Sequence, residues 1–140
     1  MGKQLDSVRY DIDTIAHSDV RRTIYQPEKI MNGVEGFVWH NAMTLSSDGL
    51  ELGKHFHDYQ EFFFTPTGVF EVRLVDMEDM VTKKYTLTPG SRILIPENIG
   101  HIFTGRTGNV LMAWGNAPFD PKRLIPCSVQ ALEALALMKN

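Results

Sequence analysis

The stretch GKHFHDYQE, residues 53–61, places two histidines one residue apart and a glutamate four residues after the second. Side chains alternate across a strand with a period of two. On a strand, His55, His57 and Glu61 therefore share one face. Two neutral imidazoles and a carboxylate on one face form a divalent-metal half-site that lacks a fourth ligand. Such donors suit Fe, Mn, Ni, Zn or Cu, and donor softness does not choose among these. Glu61 also shares its face with Phe63, so its carboxylate points toward apolar surroundings and needs a partner, which a metal supplies. A second segment, PGSRILIPENIGH (residues 89–101), offers His101 as the missing donor. There Gly90 opens a short strand, Pro96 ends it, and His101 follows Gly100.

Other residues are candidates for work beside such a centre. Tyr59 has the same parity as the histidines and offers a hydroxyl to a substrate. His40, in FVWHNAM, lies opposite Phe37 and Trp39 and reaches the interior only if its face is the buried one. Tyr59 and His40 are the candidate catalytic residues. Arg92 and Phe103 are candidate substrate contacts. Glu71 and Arg73 share a face, and whether Arg73 and Arg92 face a cavity or solvent stays open at this level. His17 is expected on the surface.

These residues must be positioned by short strands. Residues 36–45 (GFVWHNAMTL), 69–75 (VFEVRLV), 81–87 (VTKKYTL), 91–96 (SRILIP) and 110–114 (VLMAW) read as strands. Turn signals separate them: SSDG at 46–49, PTG at 66–68, PG at 89–90, ENIG at 97–100 and RTGN at 106–109. In 69–75, Phe70, Val72 and Leu74 lie on one face and Glu71 and Arg73 on the other. Phe62 and Phe64 point away from Glu61, so both faces of that strand are apolar. That predicts a second layer over it or a dimer interface. Many short strands joined by Gly/Pro turns indicate an all-β sandwich or barrel. Near the end, SVQALEALALMK (residues 128–139) predicts a helix with Ser128 as N-cap and Pro126 before it. Val129, Leu132 and Ala136 are its expected packing side.

Composition narrows the class. The chain has 140 residues, 43% hydrophobic and 22% charged, which suits one globular domain with a sizeable core. The formal net charge of -3, with no basic block, argues against nucleic acid as a partner. Cys127 is the only cysteine, so it forms no internal disulfide and no thiolate cluster. The polar start MGKQLDSVRYDID has no signal-peptide pattern, and Asp6 stands where a myristoylation signal needs Ser or Thr. No apolar run approaches a membrane span. A reducing, cytoplasmic setting without membrane attachment is expected.

The two histidine segments resemble the two signature motifs of the cupin superfamily. G-KHFHDYQE-FFFTPT-G keeps the HxH, the glutamate and the final glycine, Gly68, at the family's spacing. Its opening glycine is too near at Gly53, and Gly49, with five residues before His55, fits the role. G-SRILI-P-ENIG-H keeps Gly90, the five-residue strand, Pro96 and the histidine. It departs in having Gly100 next to His101 and Gly105 where an asparagine is usual. The resemblance spans residues 36–115. It implies a cupin-type double-stranded β-helix, a jelly-roll barrel, with a C-terminal helix, in a single domain over 1–140. It also implies one divalent ion on His55, His57, Glu61 and His101.

Three activities are implied by the resemblance, since this fold hosts many. The preferred one is a metal-dependent isomerase or epimerase acting on a small polar, oxygen-rich substrate such as a carbohydrate. The segment LMAWGNAPFDPKR (residues 111–123) is similar to the one after the second motif in some sugar-modifying cupins. There a metal would polarise a carbonyl while His40 or Tyr59 moves a proton. The others are a metal-dependent dioxygenase and a non-catalytic small-molecule-binding module. A homodimer is expected.

Overall fold

The structure, a computed structural model, describes residues 5–12, 15–21, 23–25, 39–118 and 120–138, with the backbone alone for Tyr25, Trp39 and His40. Twelve strands and one α-helix are seen among the described residues. In chain order these are β1 (Arg9–Asp11), β2 (Ile15–Ser18), β3 (Thr23–Tyr25), β4 (Trp39–Thr44), β5 (Glu51–Phe56) and β6 (Glu61–Thr67). The chain continues with β7 (Phe70–Asp76), β8 (Thr82–Leu87), β9 (Arg92–Ile95), β10 (Ile99–Thr104), β11 (Val110–Gly115), β12 (Ile125–Pro126) and α1 (Val129–Ala136). The alternating segments of the sequence are thus strands. Residues 36–38 of the first expected strand lie outside the described residues.

Two five-stranded antiparallel sheets result, in the orders β1-β9-β6-β11-β4 and β12-β5-β10-β7-β8. β2 and β3 pair separately. From β4 onward the chain crosses between the sheets at each step, except at the β7–β8 hairpin. This alternation is that of a double-sheet jelly roll. One apolar core lies between the sheets. Phe63, Ile93, Ile95, Leu111 and Ala113 from the first sheet meet Phe70, Val72, Leu74, Leu87, Ile99 and Phe103 from the second. The expected alternation in β7 is therefore present, with Phe70, Val72 and Leu74 facing this core.

Both arginines left open by the sequence are buried, and neither lies in the core between the sheets. Arg73 is covered by α1: its guanidinium donates to the Leu135 carbonyl at 2.9 Å and to Glu51 at 2.6 Å. Arg92 lies beside Phe64 in register on β9 and pairs with Asp11 at 3.7 Å. It is therefore on the outer face with Phe62, Phe64 and Leu94, which pack with Met112 and Trp114.

Helix α1 starts where predicted, with Ser128 Oγ accepting the Ala131 N–H at 3.1 Å. Its buried side is only partly the expected one: Leu132 packs on the sheet, but Ala136 is exposed. Ala131 and Leu135 pack on Val75, Ile102 and Cys127, while Val129 is 74% exposed. The end of the helix is tied to the sheet by the Arg73 hydrogen bond to the Leu135 carbonyl. No described helix is long and apolar enough to cross a membrane. His17 is exposed, as expected, and its Nε2 meets Asp19 at 2.7 Å.

Candidate metal centre

The strand expected to run through residues 55–61 is two strands. β5 ends at Phe56, residues 57–60 form a bend, and β6 begins at Glu61 in the other sheet. His57 thus lies in a loop, and parity along one strand is not what gathers the ligands. The gathering comes from three strands and a bend. β5 supplies His55, β6 supplies Glu61, β10 supplies His101, and β5 and β10 pair so that His55 stands opposite His101. The sequence departs from the family motif at Gly53, and the structure gives the reason. Gly53 has a φ of +104°, and a Cβ there would lie 2.4 Å from the His101 carbonyl oxygen. Only glycine allows β10 to come this close. Gly49, with a φ of +75°, makes the turn before β5. Gly100 answers a similar demand, since a Cβ there would meet Cys127 Sγ and Val75 at 2.8 Å.

His55, His57, Glu61 and His101 come together, one donor atom from each lying within 4.8 Å of all the others. Around one ion at about 2.1 Å from each donor, no two donors are farther apart than about 4.2 Å, so the widest pair need close by only about half an ångström. His57, Glu61 and His101 are buried, and His55 is half-buried. His57 Nδ1 donates to the Tyr59 carbonyl at 3.0 Å, and His101 Nδ1 donates to the Ile99 carbonyl at 3.1 Å. Backbone carbonyls holding Nδ1–H are the usual outer support of a metal-binding histidine, leaving Nε2 as the donor. Both Nε2 atoms face the same carboxylate oxygen. His57 Nε2 contacts Glu61 Oε1 closely, and His101 Nε2 lies 3.5 Å from it.

The electrostatics point the same way. Burial drives the His101 imidazole down to about 4, against the pull of Glu61. Burial also lowers His55, again opposed by Glu61. Burial acts to raise Glu61, but the hydrogen bond with His57 and the neighbouring imidazoles outweigh it and hold the carboxyl low. At neutral pH an ionised carboxylate therefore faces the neutral imidazoles of His55 and His101. The His57–Glu61 hydrogen bond occupies lone pairs that a divalent ion would compete for, so metal binding here would displace a proton. The four residues fit a divalent ion.

Tyr59 lies beside this centre in a supporting position. Its ring stacks on His57 with centroids 4.0 Å apart and planes 9° apart, and its carbonyl holds His57 Nδ1. Burial first, and then the Glu61 charge, push its hydroxyl up to about 12. Arg123 lies over the same ring, 5.1 Å from its centroid, and binds Asp58 at 2.8 Å.

A cavity of about 150 Å³ opens onto His55, Glu61 and His101. Of the sequence candidates, Tyr59 and Phe103 line it. Arg92 does not, because it lies on the opposite face of its sheet. His40 lies on β4 opposite Trp114, and its side chain is outside the described residues. Asn41, Met43, Leu52, Phe63, Leu111 and Leu124 also line the cavity and were not singled out from sequence. Asn41 and Met43 had a readable signal in the alternation of β4. Leu124 had none, because it arrives on the connection whose strand β12 pairs with Phe56 and His55. The expected oxygen-rich substrate thus meets a cavity with few polar side chains, those of His55, Glu61, His101, Tyr59 and Asn41.

The chain has the cupin-type fold, all-β with one C-terminal helix. No protein-family model matches the chain, and no curated protein matches its sequence. Solved structures do. QdtA, a sugar 3,4-ketoisomerase from Thermoanaerobacterium thermosaccharolyticum in complex with TDP, is 17% identical with a TM-score of 0.71, over 99% of both chains. dTDP-4-dehydrorhamnose 3,5-epimerase from Bacillus anthracis, with TDP and PPi bound, is 18% identical with a TM-score of 0.66. That match covers 76% of this chain and 70% of the epimerase. ChmJ, a 3'-monoepimerase from Streptomyces bikiniensis in complex with dTDP-quinovose, is 14% identical with a TM-score of 0.68. It covers 83% of this chain and 67% of ChmJ. At these identities the likeness is one of fold.

Proposed function

We propose that the chain is an enzyme that holds one divalent metal ion on His55, His57, Glu61 and His101 and isomerises or epimerises a small carbonyl compound. The observation that carries this is the convergence of four donors, two of them with Nδ1 held by backbone carbonyls and three of them lining a cavity. When bound, the ion supplies Lewis-acid polarisation of a carbonyl and stabilises the charge that develops as a neighbouring C–H is lost. The lean toward isomerisation over oxygenation draws on the similar structures, which are epimerases and ketoisomerases of sugars.

The chain's own residues divide the remaining work. His55 and His101 are kept neutral at neutral pH and so present lone pairs. Tyr59 lines the cavity, and its phenol, pushed up to about 12 by burial and the Glu61 charge, is protonated at neutral pH and is placed to donate its proton to a substrate oxygen. It holds His57 by stacking and by its carbonyl. Asn41 supplies an amide that orients a substrate oxygen, and Phe63, Phe103 and Leu111 exclude water from the reacting carbon. The base role expected of His40 falls on a side chain outside the described residues. A small-molecule substrate and a homodimer belong to the same proposal.

The test is solvent exchange. Metal-loaded protein is incubated in D2O with a panel of small carbonyl compounds, and proton NMR follows the C–H beside each carbonyl. Deuterium uptake above the metal-free control is expected for at least one of them. Dioxygen consumption without exchange would assign an oxygenase instead, and tight binding without turnover a binding module.

A further inference from the structure

The cavity walls narrow the substrate of the proposed isomerisation, and the narrowing rests on that reaction. The cavity is lined by few polar side chains, those of His55, Tyr59, Glu61, His101 and Asn41, whereas Met43, Leu52, Phe103, Leu111 and Leu124 form apolar wall. Among the described residues no lysine or arginine lines it. The buried Arg73 and Arg92 are committed elsewhere, to Leu135 O with Glu51 and to Asp11.

Size sets a second limit. The volume of about 150 Å³ is close to that of an engineered apolar cavity in another protein, of about 150 Å³, which takes up benzene. One six-membered ring, or a chain of similar bulk, fills it. A hydroxyl pressed against the apolar wall without a partner weakens binding by about tenfold or more, and an unpaired phosphate weakens it further.

We infer that the cavity takes a small amphiphilic carbonyl compound about one ring in size. Its oxygens sit along the edge that faces the cluster and Asn41, and its opposite flank is hydrocarbon. A ring bearing hydroxyls all round fits poorly, and a diphosphate finds no cationic partner among the described lining residues.

The test compares ligands with one head and different flanks. The protein is loaded with cobalt(II), and its visible absorption is followed during titration. The probes are maltol, kojic acid, D-glucose and thymidine diphosphate. Maltol and kojic acid share the hydroxy-ketone edge, but kojic acid carries a hydroxymethyl group on its flank. Gel filtration checks that cobalt stays on the protein. Maltol is expected to shift the spectrum and to bind at least about tenfold tighter than kojic acid, the ratio that one misplaced hydroxyl gives. Glucose and thymidine diphosphate should leave the spectrum unchanged at millimolar concentration. Met43→Gln keeps the wall's shape while making it polar, and should narrow the gap. Kojic acid binding as tightly as maltol, or a shift caused by glucose or thymidine diphosphate, would overturn the inference while sparing the metal site. Protein that takes up no cobalt would sink the metal reading. The same titrations by calorimetry on metal-free protein would then judge the cavity by the same ranking.

Discussion

Gly53→Ala is the change for which the structure gives the sharpest expectation. Two costs add. The first is conformational: a φ of +104° is a region that a residue with a Cβ occupies at about 1–3 kcal/mol. The second is steric. The new Cβ would lie 2.4 Å from the His101 carbonyl oxygen and 3.3 Å from the His101 ring, so β5 and β10 must part. Relieving such overpacking costs about 1–3 kcal/mol. Together the loss is about 2–6 kcal/mol. Gly49→Ala is the control, because Gly49 also has a positive φ, of +75°, but nothing lies within 4 Å of its added Cβ. It should lose only the conformational part, about 1–2 kcal/mol. Urea unfolding of the metal-free proteins measures both. Parting β5 from β10 also separates His55 from His101. Metal affinity, measured by chelator competition, should therefore fall about 10–100-fold in Gly53→Ala, as when other supports of a site are lost. It should hold in Gly49→Ala. If the two variants lose equal stability and both keep wild-type affinity, the close approach of β5 and β10 does not build the site.

The remaining predictions concern the same centre and its setting. Tyr59→Phe, which keeps the ring on His57, should bind metal like wild type, whereas Tyr59→Ala should bind about 10–100-fold more weakly; equal loss in both would assign the role to the hydroxyl. Metal-free protein should lose stability in acid. His55 and His101 both have depressed pKa values, so the unfolded chain accepts protons that the folded one refuses. Their contribution is whole above about pH 6.5 and is lost toward about pH 4, at about 1.4 kcal/mol per pH unit for His101. Glu61, also lowered, adds a loss below about pH 4.5. Urea titrations that give the same stability at pH 7 and pH 5 would contradict this. The expected dimer should appear by light scattering at micromolar concentration, and a monomer mass would refute it.

Much of the fold was legible because its strands follow period-two patterns and its turns carry Gly and Pro. Phe70, Val72 and Leu74 could be placed on the core face of β7 from alternation alone. The helix was legible in its cap but not in its rotation. Two apolar stripes compete on α1, and the one that packs does so on Val75 and Ile102, far away in sequence. At the site, the types and spacing of His55, His57, Glu61 and His101 brought out residues that do converge. They do not share one strand face, because residues 57–60 bend from one sheet to the other. Arg92 was misplaced because alternation cannot tell an inner face from an outer one when both are apolar. Leu124 was invisible because long-range pairing of β12 with β5 brings it in.

The central claim is that these four residues hold a divalent ion, and thermal melting of wild type against His57→Ala tests it most directly. His57 is fully buried, hydrogen-bonded to the Tyr59 carbonyl and in contact with Glu61, so metal-free His57→Ala should melt below metal-free wild type, and each protein is compared with its own metal-free midpoint, each kcal/mol moving it by roughly 3–5 °C. Metal adds stability only where it binds, by RT ln(1 + [L]/Kd), which is about 2.7 kcal/mol at a hundredfold excess over Kd. Titrated with manganese, iron, nickel, zinc or copper, wild type should rise by several degrees with at least one of them and bind about one ion per chain. His57→Ala should stay where it was. An equal rise in both proteins would remove His57 from the site, and no rise in wild type with any of the five would contradict the metal centre itself.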